Sequence, residues 1–183
     1  VLKGVAFDDM DGGEETLSGN LSCRSGGKPE TFIAQTLEEE CRWIAKRVNE
    51  LQEELGLEPQ DICIVARKSA LLERYQSELE REGFHALRLS RSKSDSSDAR
   101  ERGCLRFATM HRVKGLEFRA VFIAGASKGQ IPFSGYETED KEEAAINDKT
   151  ERSLFYVAAS RARDALFVSC CGEPGAFLQL LAA

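Results

Sequence analysis

An alternation of strand-like and helix-like segments between residues 31 and 89 is the feature that most narrows the possible folds. Short apolar runs of strand length occur at 31–35, 61–66 and 84–89. Two segments with helical periodicity, 37–55 and 69–82, separate them. Because parallel strands must be joined by a long crossover, usually a helix, the alternation predicts an α/β fold with a mostly parallel sheet flanked by helices.

The first helical segment carries clear start and stop signals. Thr36 and Glu39 match the two ends of a capping box, which predicts a helix that begins directly after Thr36. Apolar residues then recur on one helical face, at Leu37, Cys41, Ile44, Val48, Leu51 and Leu55. Gly56 and Pro59 predict the end of this helix.

The rest of the chain continues the pattern with longer polar interruptions. The serine-rich stretch 90–102 predicts a loop, and 126–147 predicts a surface excursion. Further strands are predicted at 104–109, 119–125 and 165–169, with a tight turn at 111–117 and a terminal helix at 174–181. A second capping box, from Asp148 to Glu151, predicts a helix that runs to about Ala159.

Length and composition favour one globular domain. A chain of 183 residues suits a single core, to which we assign residues 29–183. Residues 1–28 lack periodicity and contain two Gly-Gly pairs, so they predict a flexible lead-in. The sequence shows no apolar run of about 20 residues and no leader peptide. We therefore expect a cytoplasmic protein with no membrane partner.

Charge and cysteine content limit the kinds of ligand. The net charge is -6, whereas proteins that bind nucleic acid over a whole surface are usually basic. Any contact with DNA is therefore expected to be local, or shared with another domain. The 6 cysteines include no C-x-x-C pair, and only 2 histidines are present, so we expect no metal site.

One polar segment beyond a predicted strand end carries several chemically active groups. From Thr109 to Phe118 it reads TMHRVKGLEF, which combines a hydroxyl, an imidazole, a lysine, a glycine and a carboxylate. Ligands of open α/β sheets bind outside the strand ends, and Gly115 lets the backbone approach a ligand closely. Taken alone, the segment also fits an ordinary solvated turn, which is the more common case.

Three arginines also lie next to the ends of predicted strands or helices. Arg161 and Arg163 lie between a predicted helix and a strand, and Arg67 directly follows the buried strand 61–66. The planar fork of arginine suits phosphate oxygens and stays charged. For Arg161 and Arg163 the alternative is compensation of the helix dipole. For Arg67 the alternative is an ordinary surface charge.

Taken together, these segments resemble motifs IV, V and VI of superfamily 1 helicases of the UvrD/Rep type. The motif V pattern T-x-H-x-x-K-G-L-E-F is present at 109–118, and the motif VI pattern L-F-Y-V-A-x-[ST]-R-A-[RK] at 154–163. The match to motif IV, at 61–67, is weaker. The resemblance covers about residues 29–171 and implies a RecA-like fold of the P-loop NTPase type.

The resemblance implies a role for each matched position. Arg67 and Arg161 correspond to arginines that point at the γ-phosphate of ATP and act as arginine fingers. The implied nucleotide-binding positions are Gly115, Glu117 and Arg163. The implied positions near single-stranded DNA are Thr109, His111 and Lys114, with Lys114 between the two functions.

Two elements of a complete ATPase are missing from the sequence. It contains no G-x-x-x-x-G-K-[ST] loop for phosphates and no acidic pair after an apolar strand to hold magnesium. The resemblance implies that an N-terminal motor domain of the same polypeptide holds most of ATP and Mg²⁺, and that the isolated chain is inactive. The large insertion of the family between motifs IV and V is absent, and only about residues 90–103 occupy its place.

The expected function is that of the C-terminal motor domain of an ATP-dependent DNA helicase or single-stranded DNA translocase. A non-catalytic helicase-like module for protein interactions is the alternative from a different class. Arg67, Glu117 and Arg161 argue against it, since a scaffold has no use for them. An RNA-directed enzyme of the same superfamily fits the residues of motifs V and VI less well.

Overall fold

The computed structural model of the chain describes residues 7–8, 14–15, 27–89, 101–136 and 140–182. The strands are β1 (Phe7–Asp8), β2 (Glu14–Glu15), β3 (Glu30–Ala34), β4 (Ile62–Ala66), β5 (Ala86–Arg88), β6 (Leu105–Thr109), β7 (Phe118–Ile123) and β8 (Ala162–Cys171). The helices are α1 (Leu37–Leu55), α2 (Ser69–Arg81), α3 (Lys141–Ala159) and α4 (Ala176–Ala182), with 3-10 turns at Pro59–Asp61 and Ser134–Tyr136. No helix in the described part of the chain is both long and apolar enough to cross a bilayer.

Strands β3 to β8 form one parallel sheet, which confirms the predicted fold class. Their order across the sheet is β3-β8-β7-β4-β6-β5, and every neighbouring pair is parallel. Strands β1 and β2 pair antiparallel with each other, inside the stretch predicted as a lead-in. The remainder of residues 1–26 and the serine-rich stretch 90–100 lie outside the described residues.

Helices cover both faces of the sheet, and the alternation of side chains along β4 shows how. Ile62, Ile64 and Ala66 pack on one face with the apolar stripes of α1 and α2. Cys63 and Val65 point to the opposite face, where they join apolar residues of α3 and α4. All five residues of β4 are buried, as expected for a strand in the interior of a parallel sheet.

Helix α1 has the bounds that its sequence signals predict. The Thr36 hydroxyl accepts a hydrogen bond from the Glu39 backbone N–H at 3.2 Å. The Glu39 carboxylate accepts one from the Gln35 N–H at 2.7 Å, one residue earlier than in an ideal capping box. At the other end Gly56 adopts φ 59°, a left-handed conformation that favours glycine, and ends the helix.

The capping box predicted at Asp148 is wrong, because the N-cap of α3 is Asp140, eight residues earlier, and the helix begins at Lys141. Asp140 is the N-cap, and its carboxylate accepts a hydrogen bond from the Glu142 N–H at 2.9 Å. Asp148 lies inside the helix, where its carboxylate pairs with Arg152 at 2.6 Å. The first two turns of α3 face solvent almost entirely, so they carry no apolar stripe that would reveal a helix in the sequence.

A buried carboxylate ties α1 to the carboxyl ends of two central strands. The Glu40 side chain, which is fully buried, accepts hydrogen bonds from the Tyr75 hydroxyl at 2.7 Å and the Ser169 hydroxyl at 2.6 Å. It also accepts one from the Gly125 N–H at 3.0 Å. Burial raises the pKa of Glu40, against the opposing effect of these three donors.

Candidate functional site

The parallel sheet places the predicted site residues at the two opposite ends of its strands. We call the side where the strands begin the amino edge and the side where they end the carboxyl edge. Val65 of β4 is level with Ile123 of β7, so Arg67 lies beyond the carboxyl ends of the strands. Thr109 ends β6 and is level with Ala66, which places it at the same edge. At about 3.3 Å per residue, the amino and carboxyl ends of the six-residue strand β7 are about 20 Å apart.

The residues on either side of Glu117 are hydrogen-bonded to Arg161 at the amino edge. Phe118 opens β7 and pairs with Ala162, which opens β8. The Phe118 N–H donates to the Arg161 carbonyl at 3.0 Å, and the Arg161 Nη1 donates to the Leu116 carbonyl at 3.5 Å. The C-terminal end of α3 and the turn before β7 are thus hydrogen-bonded to each other, although they are more than 40 residues apart in sequence.

The segment 110–117 connects the two edges. It begins beside Ala66, whose carbonyl accepts from the Met110 N–H at 3.1 Å, and it ends beside Arg161. Met110 and Val113 are buried against the α3 face of the sheet, which fixes the path of the segment. His111 is therefore near the carboxyl edge and exposed, whereas Gly115 and Glu117 are at the amino edge and exposed.

Two further features of this segment concern Lys114 and Gly115. Lys114 is partly buried midway along the segment. Gly115 has φ 78°, and a Cβ added there would meet no atom within 4 Å. Glycine is therefore favoured at this position for its backbone conformation, while the space beside it stays open to solvent.

Among the described residues, the Arg161 guanidinium donates hydrogen bonds only to neutral oxygens. Nε donates to the Val157 carbonyl at 3.1 Å, and Nη2 donates to the Ser160 hydroxyl at 3.0 Å. Together with the longer contact to Leu116, these bonds fold the side chain back onto the end of its own helix. Among the described residues no carboxylate pairs with Arg161.

A small polar cavity adjoins Glu117 at the amino edge. It has a volume of about 220 Å³ and is lined by Gln60, Asp61, Glu117, Phe118, Arg119 and Arg163. Asp164 holds both nearby arginines, with Arg119 at 2.7 Å and Arg163 at 3.2 Å. These two hydrogen bonds lower the pKa of Asp164. The cavity therefore offers carboxylate, amide and guanidinium groups within one small volume.

Arg67 lies apart from this group, directly beyond the carboxyl end of β4. Its side chain is only 8% exposed, and it is held by Glu151 of α3, which is 4% exposed. Nε lies 3.1 Å from both carboxylate oxygens, and Nη2 lies 2.6 Å from Oε1. The Arg67 guanidinium is thus paired with a carboxylate inside the domain.

Glu151 and Phe133 are structural residues that the sequence analysis missed in this role. The Glu151 carboxylate also accepts from the Phe133 N–H at 3.0 Å, and the Lys68 Nζ lies 3.6 Å from the centre of the Phe133 ring. A cavity of about 360 Å³ adjoins both residues, between α3 and the segment after β7. In the sequence, Glu151 is one glutamate in a predicted helix, and such a residue normally lies on the solvent-exposed face of the helix.

Comparison with known proteins identifies the central part of the chain. Residues 84–173 match the UvrD-like helicase C-terminal domain family. These residues belong to that family. They include β6, the connection to β7, and the end of α3 that carries Arg161. The recognition from the motif V and motif VI segments is thereby confirmed.

Relatives with curated names agree with this assignment. A "Probable DNA helicase" of Mycoplasma pneumoniae is 27% identical over 168 residues, which are 87% of this chain and 28% of that protein. The "ATP-dependent DNA helicase Rep" of Buchnera aphidicola subsp. Acyrthosiphon pisum is 38% identical over 73 residues, 40% of this chain and 10% of that protein. The chain thus spans much less than two thirds of the relatives that it matches.

Solved structures show the same fold. The C-terminal domain of a possible DNA helicase from Lactobacillus plantarum WCFS1 superposes with a TM-score of 0.63 at 20% identity, covering 86% of this chain and 83% of that one. The C-terminal domain of the DEAD-box protein Dbp5 gives a TM-score of 0.51 at 12% identity, covering 84% and 81%. At these identities the likeness concerns the fold, which is that of RecA-like helicase C-terminal domains.

Proposed function

We propose that this chain is the C-terminal motor domain of an ATP-dependent DNA helicase or single-stranded DNA translocase. It works with an N-terminal motor domain of the same polypeptide and completes an ATP site between the two. The observation that carries the proposal is that Arg161 is hydrogen-bonded to both neighbours of Glu117, Leu116 and Phe118, at the amino edge of the sheet, within a UvrD-like helicase C-terminal domain.

Arg161 acts as an arginine finger in this proposal. Its three hydrogen-bond acceptors are neutral, so no anion balances its charge, whereas a phosphate offers charged oxygens that arginine binds with two parallel hydrogen bonds. A γ-phosphate on the facing domain therefore attracts this guanidinium out of its contacts. Its charge then stabilises the negative charge on the transferred phosphoryl group. Arg67 is left out of this role because Glu151 neutralises it inside the protein.

The other amino-edge residues bind the rest of the nucleotide. Gly115 leaves open space for close approach to the phosphates, and Glu117 reaches the nucleotide sugar from the rim of the 220 Å³ cavity. Arg163 lines the same cavity and supplies a further cation. Mg²⁺ is held mainly by the N-terminal motor domain.

Single-stranded DNA binds at the opposite edge in this proposal. Thr109 and His111 face that edge, and Lys114 lies on the connection toward Glu117. Because ATP draws the two motor domains together and hydrolysis releases them, the two states present different surfaces to DNA. A difference in DNA affinity between those states is what moves the strand.

Replacement of Arg161 in the polypeptide that contains both motor domains tests the proposal. In Arg161→Ala we expect DNA-stimulated ATPase to fall by about 10³-fold or more, the range measured for arginine fingers, with an unchanged thermal midpoint. Arg81→Ala removes a cation from the last turn of α2, outside the proposed site, and is the control for loss of a cation at a helix end; its rate should match wild type.

The helix-dipole alternative makes the opposite prediction for the same variant. Loss of a cation at a helix C-terminus costs about 0.3–1 kcal/mol of stability and barely touches catalysis. An ATPase rate within a few-fold of wild type, with a lowered midpoint, would remove Arg161 from the site. A polypeptide with two intact motor domains that hydrolyses no ATP in any variant would favour a non-catalytic interaction module.

A further inference from the structure

We propose that Ser160 is a positioning residue that holds Arg161 in a docked position, which the phosphate of ATP must displace. The inference rests on the proposed role of Arg161 and extends it to the nucleotide-free domain. Its basis is the hydrogen-bond geometry at the end of α3, where a single hydroxyl lies between the helix and the guanidinium.

The Ser160 hydroxyl is oriented by the helix that it ends. Its Oγ donates to the Val157 carbonyl at 3.0 Å, so its only proton points back along α3. Its lone pairs are then directed outward, and one of them accepts from the Arg161 Nη2 at 3.0 Å. Ser160 is the C-cap residue, with φ -70° and ψ -6°, so the backbone there is helical and unstrained.

The docked position of Arg161 has three anchors with different origins. Val157 supplies a backbone carbonyl from the last turn of α3, and Leu116 supplies another from the turn before Glu117. Both of these remain in any side-chain variant. The Ser160 hydroxyl is the one anchor that a substitution can remove while the backbone and the arginine stay unchanged.

Docking competes with phosphate binding. A site whose binding-competent form is only partly populated shows an apparent affinity reduced by that fraction. Each hydrogen bond that favours the docked arginine therefore weakens the apparent binding of ATP. Removing the Ser160 hydroxyl increases the population of the released guanidinium. The change in the equilibrium corresponds to the loss of one hydrogen bond, from the charged guanidinium to the uncharged hydroxyl.

Kinetics of Ser160 variants in the two-motor polypeptide test this proposal. In Ser160→Ala we expect the KM for ATP to fall by about two- to ten-fold, the effect of one lost hydrogen bond, with kcat unchanged or higher. Ser160→Thr keeps the hydroxyl and should keep the wild-type KM. A KM that does not fall in Ser160→Ala, or a kcat that drops, overturns the proposal.

A spectroscopic measurement on the 183-residue chain tests docking without any activity. In ¹⁵N NMR spectra the Arg161 Nε–H should exchange with water more slowly than the Nε–H of the exposed Arg74. Ser160→Ala should speed that exchange, and Ser160→Thr should not. Equal exchange for Arg161 and Arg74 in the wild type would show that no docked position exists.

The outcomes separate this inference from the proposed function. If Arg161→Ala abolishes ATPase while Ser160→Ala leaves the KM unchanged, Arg161 is an arginine finger that is not restrained by Ser160. If Arg161→Ala leaves ATPase intact, the proposed function of Arg161 fails, and the NMR result still reports whether the side chain is docked.

Discussion

Arg67 and Glu151 form a buried, bidentate ion pair that joins the end of β4 to the middle of α3. The shortest of its contacts, Nη2 to Oε1, is 2.6 Å. Because Glu151 also accepts from the Phe133 N–H at 3.0 Å, the pair anchors the segment between β7 and α3 as well. Three stretches of chain that are distant in sequence are held at one point of the carboxyl edge.

Removing Arg67 should therefore destabilise the domain. In Arg67→Ala we expect the free energy of unfolding to fall by about 3–5 kcal/mol, because the Glu151 charge is left buried without its partner. Chemical denaturation of the isolated chain measures this change. Arg67→Ala combined with Glu151→Ala should cost less than the sum of the two single changes. Additive losses would contradict a direct pair.

The exposed ion pair between Lys128 and Glu173 is the matched control. Its two side chains are 69% and 63% exposed, against 8% and 4% for Arg67 and Glu151, at a similar separation of 2.7 Å. Solvent screens this pair, so Lys128→Ala should cost no more than about 1 kcal/mol. A comparable loss in both variants would indicate that burial has no part in the effect.

The buried Glu40 carboxyl should make stability depend on pH. Burial raises its pKa in the folded state, so protonation is favoured by folding. The resulting stabilisation is fully present below the ordinary pKa of glutamate and is lost as pH rises through the folded-state pKa. Glu40→Gln does not titrate and keeps an oxygen for the Gly125 N–H. Its stability relative to wild type should rise with pH.

Unfolding midpoints of wild type and Glu40→Gln, measured from mildly acidic to neutral pH, check this prediction. A difference between Glu40→Gln and wild type that is constant across the pH range would mean that the carboxyl titrates alike in the folded and unfolded chains.

The isolated chain should not hydrolyse ATP at a motor-like rate. Its sequence has no phosphate-binding loop, and the proposed amino-edge group supplies only one wall of an ATP site. Incubation of the chain with ATP, magnesium and single-stranded DNA checks this expectation. Turnover in the usual range of about 1–100 s⁻¹ for phosphoryl transfer would be incompatible with it.

Binding of single-stranded DNA to the isolated chain should be weak and should fall steeply with salt. The chain has a net charge of -6, so only local contacts favour the DNA backbone, and such contacts release counterions. The 2 histidines of the chain provide a matched pair of variants. His111→Ala should weaken binding by about two- to ten-fold, the effect of one lost contact.

DNA binding is measured by titration with a labelled single-stranded oligonucleotide, and His85→Ala is the control. His85 precedes β5, an outer strand, at its amino end, and so lies away from Thr109. Its binding should match wild type at both low and high salt. Equal losses in the two histidine variants would place the DNA elsewhere. Tight binding that is insensitive to salt would exclude a track based on phosphate contacts.

The sequence predicts those parts of the fold that are encoded locally. Helix α1 has the predicted bounds because its apolar stripe, its Thr36 cap and its Gly56 end all lie within the helix itself. The same holds for β4, whose continuous apolar run indicates burial on both faces. The sequence resemblance over 109–118 and 154–163 likewise indicates the helicase family, because those residues are contiguous in the chain.

The remaining features depend on contacts between distant residues. Arg67 and Glu151 are 84 positions apart, so nothing near either residue indicates that they neutralise each other. Helix α3 begins at Lys141 with two solvated turns, and its start depends on the single cap Asp140. The docking of Arg161 depends on a rotamer, which short-range sequence patterns do not specify.

The connection between β6 and β7 has a further consequence for how such a domain can vary. Nine peptide steps from Thr109 to Phe118 cover an edge-to-edge distance of about 20 Å, although two turns, at Thr109–Val113 and Val113–Leu116, take up part of the reach. Little slack remains. The number of residues in this connection therefore fixes the position of Glu117 relative to Arg161. An insertion or deletion here would change that position even if every side chain were retained.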